Sequence, residues 1–365
     1  MTGDPHAAAD WFSKPGDSLR ALLQRRGIAA SQLAERLDGM ATVRGILDGS
    51  LPIDADCADR LAAAVGGTRD FWLKRQASYD KALDRAVGTA ASNESADWLE
   101  HVPAPGPKHR GRLDETAIRL ELRRRLSFFG VPTMRSWEAR YGRLCTDTRF
   151  RTSGSFSSSD AAVQLWLRRG ELEADLVTTK HWSAGNLRDR LAAIRKLSRL
   201  SQPARFMPKL KELCAEAGVA VVVVKTPAGC HASGASRLVT TDKAMMLLSF
   251  RHRADDQFWF TVFHEIGHLV LHGAKTFVDG DATPEDECER EANVFASRLI
   301  VPDNRQSEFE SLRPDRDSVL RYSVSVGVAP GLTVGQMQHR RMIAPNRLNG
   351  LKRRWTWEEI DPALV

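Results

Sequence analysis

Residues 256–272 constrain this chain more than any other stretch. They read as one helix with His264-Glu265-Ile266-Gly267-His268 at its middle. Residues four apart on a helix lie on one face about one turn apart, so both imidazoles can reach a single metal ion. Glu265 sits beside the first histidine, where its carboxylate can take a proton from a water at that ion. Phe258, Trp259, Phe260, Val262, Phe263, Leu269, Val270 and Leu271 make the helix apolar nearly all round, and Asp255 and Asp256 suit its N-terminus. The bland alternative is two core histidines and a surface glutamate. Polar and charged groups are rarely buried without a partner, so three of them in so apolar a helix ask for a metal.

A third ligand lies 21 residues after His268, in Glu289-Arg290-Glu291-Ala292-Asn293-Val294-Phe295-Ala296, which reads as a second helix. Glu289, Ala292, Asn293, Ala296 and Ile300 share one face, so Glu289 points inward with small neighbours and Asn293 is placed to support the site. Glu291 competes for the role, but its face carries Val294, Phe295 and Arg298. Two His and one Glu with a fourth position open to water form a catalytic zinc set; Mn²⁺ or Fe²⁺ could take the same donors.

The chain has 365 residues, enough for two or three domains, with 42 % hydrophobic and 27 % charged residues, ordinary for a soluble globular protein. Its net charge of +7 permits contact with nucleic acid without requiring it. Five scattered cysteines, 57, 145, 214, 230 and 288, lack CxxC spacing and point to thiols in a reducing compartment. No apolar run is long enough for a membrane span, and the N-terminus lacks signal-peptide form, so a cytoplasmic location without a membrane partner is expected.

Residues 1–86 form a first domain of five short helices. Asp17 is read as the cap of the first, Gly27 as its end, and a tight turn separates the second from the third. That pattern fits a helix-turn-helix unit. It resembles the HigA-type antitoxin branch of the XRE family, including the tail Phe71-Trp72-Leu73-Lys74-Arg75-Gln76-Ala77-Ser78-Tyr79-Asp80. The chain departs from that family at Ala29, where a polar cap is usual, and in a shorter third segment. Met40 to Leu47 offers only Thr42 and Arg44 as contacts to DNA, whereas readout takes several side chains. Either the domain binds DNA, or it is a protein-interaction or dimerisation module, which would admit a homodimer.

Residues 87–115 read as a connector, with a short helix around Trp98 and Leu99 that docks on something. Residues 116–202 read as a helical middle region, interrupted by a serine-rich loop at 152–160 whose end fits a helix cap at Asp160. Its arginines, Arg119, Arg123, Arg124, Arg125, Arg168, Arg169, Arg188, Arg190 and Arg195, give it a basic cast. They are read as either a solvated surface or a nucleic-acid groove.

The β-branched run 218–224, then 235–240 and 244–250, predict a small sheet leading into the histidine-bearing helix. Ala232-Ser233-Gly234-Ala235 is the candidate edge for an extended peptide, because small side chains let a second backbone approach. The fold class is thus α+β and mainly helical, with a zincin-like sheet and helix at 203–345, a helical C-terminal part, and a basic tail at 346–365.

Residues 203 to about 350 resemble the ImmA/IrrE family of metallopeptidases. The likeness rests on Ala232-Ser233-Gly234-Ala235, the helix Phe258 to His272, Glu289 to Ser297 with Val301-Pro302, and Ser325-Val326-Gly327-Val328-Ala329-Pro330. It implies a protease of the HExxH, gluzincin-like type that cuts helix-turn-helix repressors or antitoxins and regulates transcription in a stress, phage or mobile-element response. Zn²⁺ held by His264, His268 and Glu289 would work with Glu265 as general base. Tyr322 is either an oxyanion donor or a core residue. Cys230 and Cys288 are either inhibitory thiols that close the open metal position or inert. The competing reading is a DNA-binding autoregulator or antitoxin whose peptidase fold serves as a binding module.

Overall fold

The structure, a computed structural model, describes residues 12–106, 111, 113–142, 158–273, 277–279 and 287–364, with the backbone alone at 142, 158–160 and 277–279. The chain forms two compact units, Met1–Leu176 and Val177–Val365.

Five helices open the first unit: α1 (Pro15–Arg26), α2 (Ala30–Ala34), α3 (Met40–Asp48), α4 (Ala55–Val65) and α5 (Arg69–Asn93). Asp17 is not the cap of α1. Pro15 fixes the first helical position, the cap falls on Lys14, and the Asp17 carboxylate accepts from the Lys14 amide at 2.8 Å. At α2 the apolar Ala29 has its own amide bound by Gln32 Oε1 at 2.9 Å, half of a capping box. The helix is shorter than its pattern, and Leu37 reaches the core from the turn beyond it. Leu19, Leu33, Val43, Ile46, Leu61 and Trp72 close this core.

Helix α5 passes unbroken through residue 86, where the sequence placed the end of the first domain. Its second half, α6 (Ser95–His101), α7 (Glu115–Phe129), α8 (Met134–Trp137) and a π-helical turn at 138–142 build another core around Tyr79, Leu83, Trp98, Leu122, Phe129 and Tyr141. The connector is therefore packed structure up to residue 102, and Trp98 is the residue that docks it. The serine-rich loop at 152–157 lies outside the described residues. The last helix of the unit, α9 (Ser158–Ala174), begins two residues before Asp160.

The arginines expected to give this region a basic face are largely neutralised from within. Arg125 and Arg168 are buried against Glu121 and Glu171, Arg123 pairs with Asp84, and Arg169 reaches Glu173 at 2.8 Å. In the second unit Arg190 pairs with Glu216, while Arg188 and Arg195 donate to the Val270 and Val326 carbonyls.

The second unit begins with α10 (Ala184–Leu197) and α11 (Pro203–Ala215) and continues into β1 (Val219–Val223), β2 (Gly234–Thr240) and β3 (Lys243–Leu248). After α12 (Asp255–Leu271) come the short β4 (Phe277–Asp279) and α13 (Glu287–Ile300). Helices α14 (Gln306–Glu310), α15 (Arg316–Val326), α16 (Pro330–His339) and α17 (Trp357–Ile360) complete it. The sheet has the order β1-β3-β2-β4. β1 runs parallel to β3, Val219 beside Ala244, while β2 is antiparallel to both β3 and β4. Every residue of β1 and β3 is buried, as in strands covered on both faces.

Residues 346–365 are not a tail. Trp355, Ile360 and Ala363 are buried in the main core, where Trp355 meets Phe206, Phe250 and Phe258. The backbone at 353–355 bonds to 253–255 across the start of α12: Asp255 N to the Arg353 carbonyl at 3.0 Å, and Trp355 N to the Arg253 carbonyl at 2.9 Å. Among the described residues, no helix is long and apolar enough to cross a membrane.

Candidate metal centre

Helix α12 is buried at fourteen of its positions, so its polar residues lie inside the protein. His264, Glu265 and His268 are 3 %, 0 % and 1 % exposed. Buried acids also anchor the start of the helix. Asp255 accepts from the Arg353 amide at 3.0 Å, and Asp256 pairs with Lys352 Nζ at 2.6 Å. Burial pushes the Asp255 carboxyl up to about 6, and the Asp256 charge adds to the rise against the Arg353 hydrogen bond. Sequence reading found the acids but not their partners, which lie almost a hundred residues downstream.

Helix α13 packs against α12 where both are small. A Cβ added at Gly267 would lie 3.2 Å from Ala292 Cα, so the glycine sets how closely the helices approach. That approach brings Glu289 to the histidines. His264 Nε2 is 3.0 Å from His268 Nε2 and 3.2 Å from Glu289 Oε2, and His268 Nε2 is 3.3 Å from Glu289 Oε1. A tetrahedral ion with zinc-like bonds of about 2.0–2.1 Å separates its ligand atoms by about 3.3 Å, so the donors fit one metal ion. His264, His268 and Glu289 form the one such group among the described residues. Burial raises the Glu289 carboxyl, but hydrogen bonds from His264 and His268 more than reverse this and hold it at about 2. Burial pushes the His268 imidazole down, against its hydrogen bond to Glu289. Both shifts favour the deprotonated forms that ligate a cation.

Asn293 stands one turn beyond Glu289, its Oδ1 3.1 Å from His264 Nδ1. When Nε2 gives up its proton to ligate a cation, the remaining ring proton sits on Nδ1, where Asn293 Oδ1 can accept it. Glu291 is exposed and faces His272 at 3.6 Å, so of the two glutamates Glu289 is the one that joins the histidines. His272 Nε2 also lies 3.1 Å from the Cys288 carbonyl, tying the end of α12 to the start of α13. Gly234 of β2 forms the wall beside Glu265: a Cβ there would lie 2.5 Å from Glu265 Oε1 and 2.6 Å from Thr261 Cγ2.

Other candidates fall elsewhere. The Tyr322 hydroxyl bonds the Arg305 carbonyl at 3.5 Å within the core, and burial pushes it up to about 12, so it is placed as a core tyrosine. Neither Cys230 nor Cys288 joins the ligand group. Burial pushes the Cys230 thiol up, against the thiolate form that metal binding needs. Cys57, Cys214, Cys230 and Cys288 form no disulfide. Gly234 and Ala235 are not at an open edge, because β4 pairs with them. In the first unit, Thr42 Oγ1 donates to the Asp38 carbonyl at 3.3 Å, and Arg44 Nε lies 3.1 Å from the buried Glu173.

Residues 217–330 match the family model Peptidase_M78, the IrrE N-terminal-like domain. The match covers less than a third of the chain but includes the whole sheet, Glu265 and the three ligand candidates. This part of the protein is metallopeptidase-like. No curated protein matches the chain.

Proposed function

We propose that the protein is a zinc-dependent endopeptidase that cleaves a helix-turn-helix repressor or antitoxin and so regulates transcription. The observation that carries this reading is the buried His264–His268–Glu289 group with Glu265 next to His264 in α12. The similarity to the IrrE N-terminal-like domain supports it.

Zinc bound there would supply Lewis acidity and lower the pKa of a water toward about 7. His264, His268 and Glu289 would hold the ion. Glu265, beside His264 in the same helix, would hold a proton taken from water and pass it to the leaving amine. With a metal on Nε2, the His264 ring proton would sit on Nδ1 and be taken by Asn293, and the Gly234 wall lies against Glu265.

DNA binding by the first unit is the weaker reading. Of the two contacts the third segment offers, Arg44 is engaged by Glu173 and Thr42 by its own backbone. Incubating the metal-loaded chain with the repressor-like protein encoded nearest its gene tests the proposal. The expected result is a discrete cut, absent with Glu265→Gln; an intact partner under every candidate signal would contradict it.

A further inference from the structure

The edge of β2 beside Glu265 already carries a strand. Gly234, Ala235 and Ser236 pair antiparallel with Asp279, Val278 and Phe277 of β4, while β3 takes the other edge of β2. Gly234 is also the residue at which the sheet touches Glu265. Backbone paired opposite Gly234 therefore lies level with the glutamate, where a peptide to be cut must be held. An extended peptide added to a sheet edge uses the same N–H and C=O groups that β4 uses, and two strands cannot share them.

We infer that β4 is the chain's own occupant of its peptide-binding edge, and that an extended peptide binds antiparallel to β2 only after β4 has left. The inference rests on the peptidase reading for the identity of that ligand. β4 is tethered from both sides, nine residues after His268 and ten before Glu289, so its local concentration at the edge is high. Yet among the described residues it pairs with three of the seven residues of β2. A partner segment extended along more of β2 makes more backbone hydrogen bonds and can displace it. Short peptides are excluded, and longer complementary segments are admitted.

A double variant, Phe277→Pro with Val278→Pro, tests this. N–H groups alternate sides along a strand, so one of these two faces β2 and proline removes it. The probe is a peptidyl hydroxamate, an extended peptide ending in a metal-binding group, titrated calorimetrically into the zinc-loaded full chain. Acetohydroxamate, which reaches only the metal, is the control. The variant should bind the peptidyl compound at least tenfold more tightly than the wild type, and acetohydroxamate equally. The converse variant, Ala235→Cys with Val278→Cys, joins the strands when oxidised; it should bind the peptidyl compound at least tenfold more weakly until reduced. Equal peptidyl affinities, binding to neither protein, or a gain shared by acetohydroxamate would each overturn the inference. Cleavage that depends on Glu265 tests the peptidase reading separately. A chain that binds the hydroxamate more tightly without β4 yet cuts nothing would refute that reading and leave the strand in its role.

Discussion

Asn293 is a side chain outside the candidate ligand group that lies against one of its histidines. Its carbonyl oxygen is the partner of His264 Nδ1, and metal sites that lose such a partner typically weaken by 10- to 100-fold. Asn293→Ala should lower zinc affinity within that range, measured by competition with a chelator, while Asn293→Asp should retain it. Asp255 belongs to the same scale. Its folded pKa of about 6 lies above the ordinary 3.8, so its charge opposes folding. The penalty is absent below about pH 4, grows between about 4 and 6, and is constant above. Asp255→Asn keeps an acceptor for the Arg353 amide, so its stability relative to wild type should rise through that window by up to ~3 kcal/mol. A difference independent of pH in denaturant unfolding would refute the assignment. Glu289 was legible at this scale, because helical spacing separates it from Glu291. Tyr322 was not, since spacing places a tyrosine on a helix face without saying what its hydroxyl meets.

At the scale of elements, α12 and α13 were readable because each bears a strong helical pattern and their candidate ligands fall at helical spacing. β4 was not readable: a three-residue strand has too short a pattern, and its pairing with β2 is set by tertiary proximity. The clamp of 353–355 on the start of α12 was hidden for a related reason, since a long-range contact leaves no local periodicity. The same holds for α3, whose Arg44 read as one of two possible DNA contacts with no sign of its pairing with Glu173 of α9. Arg44→Ala should destabilise the first unit by about 1–3 kcal/mol, because a buried carboxylate loses one of its two arginine partners. Denaturant unfolding reads the loss. A variant of unchanged stability that loses affinity for DNA would restore Arg44 as a DNA contact.

On the scale of the whole molecule, composition and motif anticipated a mainly helical α+β chain with a small sheet. The divisions were harder to read, because polar, proline-rich stretches mark turns as readily as linkers. Each unit has its own core: the cluster around Phe206, Trp259 and Trp355 draws only on the second, and those around Trp72 and Phe129 only on the first. A fragment of residues 177–365 should therefore fold alone and bind one metal ion, seen by circular dichroism and metal analysis. The same fragment ended at Leu351 should not fold stably. It loses Lys352, Trp355 and Ile360, and removal of a buried tryptophan alone costs about 3–5 kcal/mol.

The central claim is that His264, His268 and Glu289 hold a metal ion on which Glu265 acts as base. It is tested most directly by metal content and peptide cleavage, measured together on wild type and Glu265→Gln after zinc loading. One metal ion per chain in both, with cleavage slowed about 100- to 10,000-fold in the variant, is the result expected of a lost general base. Equal cleavage by the two proteins, or no metal in either, would contradict it.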